Sequence, residues 1–186
     1  MKTLQKGILS LLFIYFTAFQ IFSQSKSQTI DDLINKYYDY GQFNGSVLVS
    51  ENGRIILSKG YGYAEMEWNV LNTPDTKFRL ASVTKQFTAM LIMQLAEEGK
   101  IDLDGNITDY LPDYRKETGD KITIKNLLIH TSGIPNYTDN SETMKKIAAY
   151  PITVNEQIEN LCSNDLEFEP GSKYSYSNSG YVILGA

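Results

Sequence analysis

The sequence predicts an α+β domain, and three observations carry that prediction. Two β-rich runs in GSVLVSENGRIILSKGYGYAE (45–65) flank Asn52-Gly53, a dipeptide that supplies the positive φ angles of a tight type I′ turn. In IDDLINKYYDY (30–40) the apolar positions 30, 33, 34, 37 and 38 repeat at the three-and-four spacing of a helix with one buried face. From Val83 to Glu98 the apolar positions 83, 87, 89–93, 95 and 96 cover most of a helix circumference, the pattern of a helix buried nearly all round.

The remaining elements follow in chain order. Asp31 and Asp32 suit the first turn of the opening helix, where acidic groups face its positive end. After the hairpin, NTPDT (72–76) is turn-forming, and Gly99-Lys100 is a stop signal for the long apolar helix. The stretch IDLDGNITDYLPDY (101–114) reads as a loop. Its DLDGN segment suggests a calcium loop, but the glycine falls at the fourth position rather than the sixth and no glutamate closes the twelfth, so that reading is rejected. ITIKNLLIH (122–130) predicts a short helix opened by Thr123 and ended by TSGIPNY, and a further helix is expected over roughly Val154 to Leu161. FEPGSKYSYSNSGYVILGA (168–186) combines a Pro-Gly turn, a polar aromatic strip and an apolar run that begins as a helix would. No repeat or low-complexity segment interrupts the chain, and one folding unit over 24–186 is the simplest reading.

At 186 residues, 42% hydrophobic and 12% aromatic, the chain has globular composition and the length of one ordinary domain. Its 17 basic residues against 22 acidic ones provide no basic stripe for a phosphate backbone, which sets nucleic-acid binding aside. Residues 1–23 place Lys2 and Lys6 before an apolar run from Ile8 to Phe22 and turn polar at Ser23, the order of a cleaved secretory signal peptide. A stable membrane span is disfavoured, because the run is shorter than the roughly 20 residues needed and contains Thr17 and Gln20. The expected location is therefore periplasmic or extracellular. Cys162 is the single cysteine, so no intramolecular disulfide can form and no cysteine-based zinc cluster is possible.

Chemistry enters with FRLASVTKQFT (78–88). Ser82 and Lys85 stand three residues apart, which puts both on one face of a helix start with about 5 to 6 Å between Cβ atoms. The helix N-terminus adds a positive dipole end and free N–H groups suited to an alkoxide or an oxyanion. The spacing alone is weak: Ser-x-x-Lys is expected about once by chance in this composition, and Ser23 with Lys26 repeats it at the signal-peptide junction. A helix cap with a solvated lysine fits it equally. A Ser-His-Asp triad would rest on one histidine, His130, with no G-x-S-x-G elbow, and His130 reads as a structural residue at a helix end. A second constellation, Tyr176-Ser177-Asn178, offers a phenol that could act as base and then as acid, and an amide that could orient a substrate carbonyl; Tyr-x-Asn is also expected about once by chance, and a surface aromatic turn is its plain alternative.

Three stretches, FRLASVTKQFTAMLIMQLAEEGKIDLD, LLIHTSGIP and FEPGSKYSYSNSGYVILG, occur in one order over most of residues 40–186. In that order and spacing the sequence resembles the serine β-lactamases and penicillin-binding proteins, most closely the class C β-lactamase and D-alanyl-D-alanine carboxypeptidase-like branch. The resemblance implies a β-lactamase/transpeptidase-like fold, an antiparallel sheet packed with helices plus a helical subdomain. It implies Ser82 as acylated nucleophile and oxyanion donor through its N–H, Lys85 as activating partner, Tyr176 as base and proton shuttle, and Asn178 as substrate-orienting residue. His130, within HTSG, would be structural. No metal or organic cofactor is implied, and the substrates would be amides, lactams or esters, among them peptidoglycan peptides and β-lactams. The family's third motif, Lys-Thr-Gly or His-x-Gly on a strand bordering the site, is absent, which leads to the expectation that the sequence is an N-terminal part truncated before the C-terminal strands. The 186 residues alone would then be feeble catalysts, with an exposed apolar hairpin face. A rival from another class is a non-catalytic module that binds cell-wall fragments or penicillin; retention of serine, lysine and tyrosine together argues against it. A secreted structural domain is a weaker third reading.

Overall fold

The computed structural model describes residues 25–186, so the expected signal peptide lies outside the described residues. The chain gathers into two compact units, one ending at Arg79 and one running from Leu80 to Ala186. No helix among the described residues is long and apolar enough to cross a membrane.

The first unit is a helix and two small antiparallel sheets. Helix α1 spans Lys26–Asp39 and starts earlier than the apolar spacing suggests, because the Ser25 hydroxyl caps it by accepting from the Gln28 N–H. Asp31 therefore sits in the body of α1 and not in its first turn. There its carboxylate takes up Lys59 Nζ at 2.7 and 2.9 Å and the Tyr61 hydroxyl at 2.7 Å. Lys59 first, then Tyr61, holds the Asp31 carboxyl below its ordinary range. Strands β1 (Gly45–Glu51) and β2 (Arg54–Tyr61) pair from Gly45 opposite Tyr61 to Glu51 opposite Arg54, with a bulge between Val49 and Ser50. Asn52 (φ 49°) and Gly53 (φ 76°) make the turn between them, as the dipeptide predicts. Leu57 and Tyr61 are buried, whereas Leu48 and Ile55 are each 63% exposed, so the hairpin keeps an open apolar face. Strands β3 (Tyr63–Glu65) and β4 (Val70–Leu71) form the second ribbon. The chain beyond β4 returns across β2: the Asn72 amide Nδ2 donates to the Tyr61 carbonyl at 2.9 Å, and Ser46 Oγ donates to the Thr73 carbonyl at 2.6 Å.

The second unit is helical. A 3₁₀ turn, Ala81–Thr84, runs directly into α2 (Lys85–Glu97), and Gly99 (φ 69°) ends it. The sequence predicts this helix buried nearly all round, but among its own residues only Ile92 is buried. Phe87, Met90 and Leu91 are 57 to 61% exposed. An all-round apolar pattern needs partners on every side, and the described residues cover the Ile92 side alone. The segment read as a loop contains one helical turn, α3 (Ile107–Tyr110), and α4 (Lys116–Gly119) follows it. Helix α5 (Ile124–Leu128) opens on Thr123, whose hydroxyl accepts from the Asn126 N–H while the Asn126 side chain accepts from Thr123 N. The starts of α3 and α5 are tied together by Ile107 N–H to Ile122 O and Ile124 N–H to Gly105 O, both 3.0 Å.

Helix α6 (Ser141–Ala149), capped by Asn140, was not expected from the apolar spacing. Helix α7 (Val154–Gln157) continues through a π turn, Ile158–Cys162, over the span where one helix is predicted. Helix α8 (Asn178–Leu184) closes the unit. The core joins Ile92, Ile107, Ile122, Leu127, Ile158 and Ile183. Within it the Tyr114 hydroxyl donates to the Cys162 carbonyl at 2.7 Å, and burial pushes the Tyr114 phenol up to about 12 and the Cys162 thiol up to about 11.

Gly60 marks the tightest approach in the first unit, since a Cβ there would stand 2.1 Å from the Asn72 carbonyl oxygen, a backbone atom that cannot swing aside. Gly60→Ala is expected to cost about 1 to 3 kcal/mol by overpacking, whereas Gly53→Asn, where the space is open and asparagine relieves part of the positive-φ strain, should cost less, no more than about 1 kcal/mol. Urea midpoints of the two variants in the full protein check this; equal midpoints would show that the return strand is not packed against Gly60.

Candidate active site

Two helix starts in the second unit build the site. At the first, Ala81 adopts φ 45° immediately before Ser82. Among the described residues, the other non-glycine positions in the left-handed region are Asn52, Asn69 and His130, and asparagine tolerates it through its short polar side chain. Alanine has no such compensation, so about 1 to 2 kcal/mol of local strain is held at the residue that delivers Ser82. Ser82 lies in the 3₁₀ turn and Lys85 is the first residue of α2, one turn on. Lys85 Nζ donates to Ser82 Oγ at 3.4 Å.

The second helix start comes from α8. Ser177 is extended (φ −135°, ψ 122°) and serves as its N-cap, its buried hydroxyl accepting from the Gly180 N–H. Side chains alternate in direction along an extended backbone, so Tyr176 and Asn178 leave on the side opposite Ser177 and converge on Lys85. The Tyr176 hydroxyl stands 2.7 Å from Ser82 Oγ, and Lys85 Nζ donates to Asn178 Oδ1 at 2.6 Å. Lys85 Nζ also lies 4.9 Å from the Tyr176 ring centre and 5.4 Å from that of Tyr181. The four residues singled out in the sequence are thus brought into one hydrogen-bonded group, although 93 residues separate Lys85 from Asn178.

Electrostatics follow from that placement. Lys85, and secondarily the Ser82 hydroxyl, hold the Tyr176 phenol below its ordinary range by stabilising the phenolate. Tyr181, further from Lys85 and partly buried, moves the other way through desolvation and the neighbouring Tyr176 charge. Ser82 Oγ accepts from Lys85, which leaves its one hydrogen free to point at Tyr176. That orientation is the direction of proton transfer a nucleophilic serine requires.

Asn178 is held from behind. Its Nδ2 donates to Thr138 Oγ1 at 2.9 Å and its backbone N–H donates to Asn136 Oδ1 at 2.9 Å. With Oδ1 on Lys85 and one N–H on Thr138, one amide hydrogen remains to meet a substrate carbonyl. Ser179, fully buried, donates to the Pro135 carbonyl at 2.6 Å and accepts from the Tyr137 N–H at 3.1 Å. Asn136, Thr138 and Ser179 escaped the sequence reading. They are short polar residues in loop or cap contexts, and no local spacing links residues 136–138 to 178–179.

Comparison with known proteins gives the same neighbourhood. A family model described as Beta-lactamase matches residues 30–186. Protein flp of Staphylococcus aureus strain MRSA252 is 34% identical over 169 residues, covering 88% of this chain and 33% of that protein. Teichoic acid D-alanine hydrolase of Staphylococcus aureus is 32% identical over 151 residues, covering 81% of this chain and 36% of that protein. The crystal structure of a penicillin-binding protein from Bacillus halodurans aligns with a TM-score of 0.70 at 28% identity, covering 88% of this chain and 47% of that one. The chain spans about a third of the length of the curated relatives it matches.

The phenol shift gives a direct test. Tyr176 should deprotonate at lower pH than an ordinary tyrosine, near 10, and Lys85→Met, which removes the neighbouring ammonium, should raise it. Titration of the Tyr176 Cζ resonance in ¹³C-tyrosine-labelled protein reads both values. An unchanged midpoint in the variant would mean that Lys85 does not act on the phenol.

Proposed function

Because this chain belongs to the beta-lactamase family and carries its β-lactamase/transpeptidase-like fold, we propose that it is a serine hydrolase working through a covalent acyl-enzyme on Ser82. The observation that carries the reading is the contact of Ser82 Oγ with both the Tyr176 hydroxyl at 2.7 Å and Lys85 Nζ at 3.4 Å.

The steps follow from those distances. Ser82 Oγ attacks the carbonyl carbon of an amide, lactam or ester while its proton passes to the Tyr176 phenolate oxygen. The tetrahedral oxyanion forms beside the N-terminal N–H groups of the Ala81–Thr84 turn, where the positive end of the helix favours negative charge. Tyr176 then gives its proton to the leaving nitrogen or oxygen and the acyl-serine remains. A water molecule gives a proton to Tyr176 and attacks the acyl carbon; as the acyl–Oγ bond breaks, Tyr176 passes that proton to Ser82 Oγ and the acid product leaves. Lys85 stays in place throughout, stabilising the phenolate and holding Asn178, whose remaining amide hydrogen orients the substrate carbonyl.

For substrate class, the relative named as a teichoic acid D-alanine hydrolase supports a D-alanyl ester, and the penicillin-binding neighbour supports peptidoglycan peptides or β-lactams. All share an acyl carbonyl open to serine attack. Export, expected from the order of residues 1–23, would favour peptidoglycan peptides or β-lactams among these.

Treating the full-length protein with a fluorophosphonate and a fluorescent penicillin, and locating each adduct by mass spectrometry, tests the proposal. Ser82 should carry the fluorophosphonate label, Lys85→Ala should lose it by a factor of about 10² to 10⁴, and Tyr176→Phe should slow both acylation and deacylation. A folded protein with no adduct on Ser82 from either probe would instead indicate a binding module.

A further inference from the structure

Resting on the serine-hydrolase reading, we propose that His130 is a positioning residue for Tyr176: as a neutral imidazole it clamps the backbone that carries the phenol, and protonation opens the clamp. His130 follows α5 and occupies the left-handed region at φ 59°. That conformation is uncommon for a residue with a side chain, and here it turns the carbonyl and the ring Nδ1 of the residue towards one stretch of chain. The His130 carbonyl accepts from the Ser175 N–H at 2.9 Å, and its ring Nδ1 accepts from the Ser177 N–H at 3.2 Å. The two residues flanking Tyr176 are therefore both tied to His130. The ring itself lies against the Tyr176 ring at 4.5 Å with a 33° tilt, and against Tyr181 at 5.1 Å with a 34° tilt. Tyr174 meets it edge-on at 5.8 Å.

The clamp demands one protonation state. Nδ1 accepts a hydrogen bond only while its lone pair is free, which places the single ring proton of the neutral form on Nε2. The groups that face the ring are Lys85 from α2, Tyr174 and Tyr176 from the extended segment, and Tyr181 from α8. Of these, Lys85 carries a charge of the same sign as an imidazolium. Burial first and Lys85 second push His130 below its ordinary range. The sign is then defined: the neutral ring is fully present above the unfolded value near 6.5, and the clamp is lost as pH falls through the depressed folded value. His130 thus acts on Ser82 only through the position of Tyr176. A merely structural histidine would show no such pH signature in catalysis.

The test compares the full protein with His130→Asn and His130→Phe. Asparagine tolerates positive φ and offers Oδ1 to the Ser177 N–H without titrating; phenylalanine keeps a stacked ring but has no acceptor. Fluorophosphonate labelling of Ser82 is followed against pH, alongside thermal unfolding. In the wild type the logarithm of the rate should gain an extra unit of slope at some pH below about 6.5. His130→Asn should label at close to the wild-type rate at pH 7.5 and lack that extra slope. His130→Phe should label about 100-fold more slowly at pH 7.5 through misplacement of the phenol. Wild-type labelling by His130→Phe, or persistence of the extra slope in His130→Asn, overturns the proposal. If the wild type does not label at Ser82, the hydrolase reading fails, and the clamp is decided by NMR instead. The ¹⁵N spectrum, assigned by difference from His130→Asn, should show Nδ1 without a proton at pH 7.5, and the Tyr176 Cζ titration should shift in His130→Phe. A protonated Nδ1, or an unshifted Tyr176 midpoint, sinks it.

Discussion

Lys85 Nζ stands 2.6 Å from Asn178 Oδ1 and 3.4 Å from Ser82 Oγ, and that one ammonium joins the start of α2 to the start of α8. Each half of the site is incomplete without it. On the α2 side, a serine in a 3₁₀ turn has no base of its own. On the α8 side, a phenol has no reason to surrender its proton until a cation lies beside it. The lysine supplies that cation while occupying one acceptor position on the serine, which leaves the serine hydrogen available to a deprotonated phenol 2.7 Å away. Charge, orientation and spacing are thereby set by a single side chain.

Such an arrangement works only if the two helix starts keep their places to within a fraction of an ångström. The structure supplies that rigidity by hydrogen bonds to the backbone. The capped Thr123 turn, the pairing of residues 105–107 with 122–124, and the buried Ser179 hydroxyl bonded to residues 135 and 137 fix α8 against the loop after α5. Positive φ at Ala81 and His130 places uncommon backbone conformations beside Ser82 and beside the segment that carries Tyr176. Strain of this kind persists where surrounding packing over-determines it, and here it sits next to the atoms whose positions the chemistry depends on.

Much of this was legible in the sequence, and the rest was hidden for physical reasons. Asn52-Gly53 announces its turn because few dipeptides accept two positive φ angles, and Thr123 announces α5 because a hydroxyl at that point satisfies a free helix N–H. Ser82, Lys85, Tyr176 and Asn178 could be singled out because the stretches that carry them stand in a family's order and spacing; the Ser-x-x-Lys spacing by itself was weak. Asp31 could not be placed, since its partners Lys59 and Tyr61 arrive from a strand almost 30 residues later. Helix α6 opens on an Asn140 cap, and its apolar positions 144, 147 and 148 make a three-and-four pattern too short to stand out in the sequence. The exposed Phe87, Met90 and Leu91 show the limit of periodicity, which states what a helix face prefers to touch and not what touches it. Asn136, Thr138 and the acceptor role of His130 belong to contacts that span 40 to 47 residues, beyond any local signal.

The claim on which the account turns is that Lys85 and Tyr176 act as one unit on Ser82. A double-mutant cycle measures it: rates of Ser82 acylation by one fluorophosphonate in the wild type, Lys85→Met, Tyr176→Phe and the double variant. If the lysine works by charging the phenol, the double variant should be about as slow as the slower single variant, because the second substitution removes nothing further. Losses that multiply would contradict the account and leave the two residues acting on the serine independently.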